Sequence, residues 1–144
     1  MVEQYVAFFV LAFLFNFVWE AWHAAWLYQG FDPIPGRHAK SLRGFVRLIT
    51  RVSLTDAIIL MVIWLGGAMI WRTGEWYQDM NAPKYVYFIG VCLLWAAAIE
   101  YKAVFLFHQW AYNKNMPKVF GLGLSPLVQL AITGLMACFF IWFG

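Results

Sequence analysis

Residues Tyr5–Tyr28 read YVAFFVLAFLFNFVWEAWHAAWLY. An α-helix crosses the hydrocarbon of a bilayer in roughly 20 apolar residues, so this stretch is long enough to span. Its second half nevertheless carries Asn16, Glu20 and His23, spaced i, i+4 and i+7. At about 100° per residue the three share one helical stripe. An ionisable side chain in lipid costs at least about 2.5 kcal/mol on insertion scales. The stripe must therefore face a bundle interior, and the rest of the chain must supply its partners.

The remainder of the 144 residues agrees with a membrane setting. The chain is 64% hydrophobic and 12% charged, against about 45–50% and about 25% in soluble domains. Its pattern predicts an all-α integral membrane protein of one domain, four transmembrane helices in an antiparallel bundle. The spans are expected over 5–28, 54–71, 85–108 and 119–143. The first run lacks a basic leader and exceeds a signal-peptide core, so it reads as a retained span. Membrane lipids are the first partners this implies.

Between the first two spans, QGFDPIPGRHAK contains Pro33, Pro35 and Gly36, which interrupt a helix. SLRGFVRLITR follows. Arg43, Arg47 and Arg51 recur every four residues, and Leu42, Phe45, Val46 and Ile49 form the opposite face. This predicts a short amphipathic interfacial helix over 41–52 with arginines near lipid phosphates. Ser53 and Asp56 then resemble a capping box for the second span.

A net charge of +3 would suit nucleic acid if it formed one basic face. Instead the basic residues flank apolar spans, which excludes nucleic acid as the natural partner. Arg37, Lys40, Arg43, Arg47, Arg51, Lys114 and Lys118 flank one side, and Arg72 and Lys84 the other. Basic residues mark the cytoplasmic face. Both termini are thus expected outside and both basic loops inside, in a prokaryotic cytoplasmic membrane.

That threading brings the polar residues of the spans to the cytoplasmic half. The expected polar cluster is Asn16, Glu20, His23, Glu100, His108 and Gln129, with Arg47, Arg51, Asp56 and Lys102 as charge partners. One reading is an interhelical network that locks the bundle. A second is a pocket for a lipid-like or small ligand. A third is metal: Glu20 and His23 form one E-x-x-H step, which di-iron bundles use twice, with Glu100 and His108 as further ligands. Heme held by His23 and His108 is another cofactor reading, requiring the first and third helices to adjoin.

Gly121, Gly123 and Ser125 make a small-residue surface suited to close helix approach; Pro126 frees a backbone carbonyl one turn earlier, to which Gln129 could donate, and the segment reads as packing, with a ligand-lining kink as the alternative. Cys92 and Cys138 lie in apolar runs and read as packing residues. No P-loop, Rossmann glycines, HExxH or Ser-His-Asp order is present. Three functions remain: a binding or sensing module, a membrane-embedded enzyme using Glu and His, or an accessory subunit that meets other membrane proteins or itself through Trp/Phe-rich faces.

Overall fold

A computed structural model describes residues 2–27 and 42–143. The loop with Pro33, Pro35, Gly36, Arg37, His38 and Lys40, and the start of the expected interfacial helix at 41, lie outside the described residues. Among the described residues four helices are long and apolar enough to cross a membrane: α1 (Val2–Trp26), α2 (Leu42–Trp71), α3 (Ala82–Tyr101, extended by a π-helical turn, Lys102–Leu106) and α4 (Leu124–Phe143). This is the expected all-α membrane bundle. Neighbours pack in a ring: α1 lies against α2 and α4, and α3 against α2 and α4. Helices α1 and α3 therefore sit across a diagonal, and side chains from both meet on the bundle axis.

The basic segment is helical as expected, but it is the start of α2 rather than a separate helix. Between Phe45 and Leu65 there is no Gly or Pro, so nothing breaks the i to i−4 ladder. Ser53 is consequently a mid-helix residue, fully buried, and not a cap. Arg43, Arg47 and Arg51 are exposed along the first turns, while Ile49 is fully buried.

Helix α3 starts with a cap: the Asn81 side chain accepts from the Lys84 N–H at 3.3 Å, and Pro83 occupies the first turn where its missing N–H is harmless. A two-residue hairpin precedes α4. Strands β1 (Lys118–Val119) and β2 (Leu122–Gly123) pair antiparallel, with Lys118 opposite Gly123. Phe120 and Gly121 at its tip have φ of 51° and 82°, the two positive values of a primed hairpin turn.

The expected roles of the small residues and of Pro126 change accordingly. Gly121 and Gly123 serve the hairpin, and a Cβ on Gly123 would lie 2.8 Å from the Tyr112 ring. Pro126 is the third residue of α4 and makes no kink, because its ring falls in the first turn.

The core lies between all four helices, from Phe8 and Ala12 of α1 through Leu60 and Trp64 of α2 and Phe88 and Cys92 of α3 to Ala137 and Cys138 of α4. Both cysteines are free and buried. At the end where α2 runs into α3, Trp76 donates to the Trp64 carbonyl at 3.1 Å, and Tyr87 donates to the Ile63 carbonyl at 2.9 Å. Gly66 and Gly67 admit these rings: a Cβ on Gly67 would collide with the Trp76 indole.

Candidate functional site: a polar chamber shared by four helices

The opposite end of the bundle holds the stripe of α1. Asn16 and His23 are fully buried and Glu20 is 8% exposed. The spacing that set them on one face has turned them inward, as the cost of ionisable groups in lipid requires.

Gln129, from the second turn of α4, is the hub. Its carboxamide nitrogen lies 2.8 Å from Glu20 Oε1, 3.0 Å from Asn16 Oδ1 and 3.2 Å from Asp56 Oδ2. Three acceptors on α1 and α2 thus converge on one NH₂ group, which has two protons. One turn further along α4, Thr133 Oγ1 lies 2.9 Å from the Gln129 carbonyl and 3.2 Å from Asn16 Oδ1. Again one proton faces two acceptors. Asn16 turns its own NH₂ back to the Ala12 carbonyl at 2.8 Å.

Glu100 enters from α3, 5% exposed. Tyr112 donates its hydroxyl proton to Glu100 Oε2, and the Trp110 indole donates to the same oxygen at 3.3 Å. Both aromatics belong to the connection between α3 and α4. That connection is fixed by α1: Asn113 donates its backbone N–H to the Leu27 carbonyl at 3.0 Å and its side-chain NH₂ to the Trp26 carbonyl at 2.6 Å. It thereby satisfies carbonyls that a helix C-terminus leaves open. Tyr112 is buried, and burial first, then its bond to Glu100, raise its pKa above the ordinary tyrosine value. Glu20, Asp56 and Glu100 thus bring carboxyl groups from three helices to one end of the bundle.

His23 sits beside this network. Its Nε2 lies 2.7 Å from the Trp19 indole nitrogen and 2.5 Å from Ser125 Oγ. An indole N–H can only donate, so Nε2 is the acceptor and the Ser125 hydroxyl proton points at it. The contact ties α1 to the start of α4.

The structure thus brings together Asn16, Glu20, Asp56, Glu100 and Gln129, with His23 alongside. It corrects other expectations. His108 is exposed, and its Nδ1 bonds the Val104 carbonyl at 3.0 Å. The π-helical turn and the positive φ of His108 (48°) take it out of the helical register that would have kept it in line with Glu100. Arg47, Arg51 and Lys102 are exposed, and Lys102 lies 5.5 Å from the centre of the Phe107 ring. None forms an ion pair with Asp56 among the described residues, because α2 runs on unbroken and carries its arginines to the outer face. The expected metal set of Glu20, His23, Glu100 and His108 is not assembled, and no group of three or more His, Cys, Asp or Glu among the described residues is arranged to hold a metal. The two expected heme ligands are not brought together either: His23 is fully buried on α1, whereas His108 is exposed beyond the end of α3.

Sequence reasoning missed the donors. Thr133 follows Gln129 by four residues, so its place on the stripe was legible. Trp19 precedes His23 by four and was legible too. Trp110 and Tyr112 lie in a connection, where no periodicity reports direction; the only signal was two aromatics with polar handles close to a helix end.

The chain matches no protein-family model, no curated protein and no solved structure in comparisons with each.

Proposed function

We propose that the chain is a small membrane-embedded binding module whose polar chamber takes a cationic, hydrogen-bond-donating head group, of the primary ammonium type, from the cytoplasmic interface. The observation that carries this reading is the shortage of donors at Gln129. Two carboxyl groups, Glu20 and Asp56, and the Asn16 carbonyl share the two protons of one NH₂ group, with the Glu100 carboxyl group brought to the same end by α3. A ligand that brings positive charge and N–H groups supplies both. Buried charges are tolerated when paired and hydrogen-bonded, and an ammonium offers three donors. The side is argued from charge: seven Lys/Arg flank the end with the chamber and two flank the other, which favours a cytoplasmic chamber and both chain ends outside.

A melting experiment on the detergent-purified protein tests this. Ethylammonium and putrescine should raise the melting temperature saturably, whereas tetramethylammonium, with the charge but no N–H, should not. A ligand at a hundred times its Kd stabilises by about 2.7 kcal/mol, well within detection. Glu20→Gln and Glu100→Gln should each abolish the response. No stabilisation by either amine, or equal stabilisation by tetramethylammonium, would overturn the reading.

The pairing of Ser125 with His23 at 2.5 Å favours a second reading, a membrane-embedded enzyme in which His23 is the base for the Ser125 hydroxyl. Covalent labelling of Ser125 by a fluorophosphonate, lost in His23→Ala, would support it. An unlabelled protein would remove it.

A further inference from the structure

At the end of the bundle away from the chamber, a cavity of about 320 Å³ opens between the last turns of α4 and the connection from α2 to α3. Tyr77, Met80, Tyr85, Met136, Phe139 and Trp142 are among the side chains that line it, with no charged residue. The volume falls in the range of small-molecule sites, roughly 300–1,000 Å³. Tyr85, Phe139 and Trp142 are also half-exposed on the apolar outer surface of the bundle, where a membrane-soluble molecule would enter.

One polar feature defines the chemistry. Tyr77 is 2% exposed, yet its hydroxyl has no hydrogen-bond partner among the described residues. A buried donor without an acceptor costs about 1–3 kcal/mol. A lipid acyl chain would fill the space and leave that cost standing. An occupant with an oxygen acceptor removes it. The aromatic lining offers faces for stacking, and Met80 and Met136 bring sulfur, which makes favourable contact with rings. We propose that this cavity binds a planar, membrane-soluble ring bearing a carbonyl, the chemistry of a quinone head group, with the Tyr77 hydroxyl donating to the carbonyl oxygen.

The test compares two probes with the same alkyl chain, decylubiquinone and decylbenzene, by their effect on the melting temperature in detergent. Decylubiquinone should stabilise saturably and decylbenzene should not. Tyr77→Phe keeps the ring and removes the donor, and should weaken decylubiquinone binding about fivefold to tenfold. Met136→Trp, at a half-exposed position that fills the cavity without entering the core, should abolish it. Equal stabilisation by decylbenzene would show a groove for apolar chains and overturn the proposal. So would unchanged affinity in Tyr77→Phe, or no stabilisation of the wild-type protein by decylubiquinone.

Discussion

The two ends of the bundle solve the same problem, polar atoms buried away from water, in opposite ways. At the α2–α3 end, Trp76 and Tyr87 each give one proton to one backbone carbonyl. What is left over there are donors: the Trp64 indole N–H and the Tyr77 hydroxyl are buried without partners among the described residues. At the chamber end the imbalance is reversed. Acceptors from α1 and α2 compete for the two protons of Gln129, and Glu100 draws on donors from outside the helices. Ser53, fully buried three residues before Asp56, has a hydroxyl with no hydrogen-bond partner among the described residues. The aromatic end packs tightly around glycines, and the chamber end is held by a few shared hydrogen bonds. An excess of acceptors suits a donor-bearing cation, and an excess of donors suits a carbonyl.

The contrast predicts where substitutions hurt. Gln129→Leu removes the hub, takes the shared donor from Glu20 and Asp56 and leaves Asn16 Oδ1 with Thr133 alone. It should cost about 3 kcal/mol, a melting temperature lower by about 10 °C. Thermal unfolding in detergent measures it, and a loss of under 2 °C would show that the chamber does not hold the fold. Gly67→Ala attacks the other end by driving a methyl group into the Trp76 ring. Overpacking of this kind costs about 1–3 kcal/mol, and the same melts should show the loss without any change in the amine response. A changed amine response would mean that the ends are coupled.

The helical stripe of α1 was legible because ionisable residues at i, i+4 and i+7 in a span can only turn inward. Gln129 was legible as a partner of Glu20 for the same reason. Asp56 was misread, since a Ser-x-x-Asp pattern after a basic amphipathic run looks like a helix start. Only the absence of any breaker from Phe45 to Leu65 spoke against it. The hairpin was hidden because its tip puts Phe120, a bulky residue, at positive φ, where sequence gives little warning. His108 was misplaced because a π-helical turn shifts the register, and no residue type announces one.

Smaller effects sharpen the comparison. Tyr112→Phe takes one donor from Glu100 and should cost about 1 kcal/mol. It also has a pH signature. The folded-state pKa of Tyr112 is raised above its ordinary value of 10.0, so the folded state holds that proton more tightly than the unfolded chain. The contribution is fully present below pH 10 and is lost as the pH climbs above it. Wild-type melting should therefore fall on the alkaline side of pH 10 by more than that of Tyr112→Phe. Parallel profiles would remove Tyr112 as the source. Smallest of all, Tyr77→Phe in the ligand-free protein should leave the melting temperature unchanged or raise it by a degree or two, because it deletes an unpartnered donor. A clear drop would mean that the hydroxyl has an acceptor.

The most direct test of the donor shortage is Glu20→Gln in the ligand-free protein. The amide has the shape of the carboxylate, keeps an oxygen for Gln129, removes a negative charge and adds two protons where acceptors are in excess. Its melting temperature should equal or exceed that of the wild type, while stabilisation by ethylammonium disappears. A drop of 5 °C or more, with the ethylammonium response intact, would contradict the account.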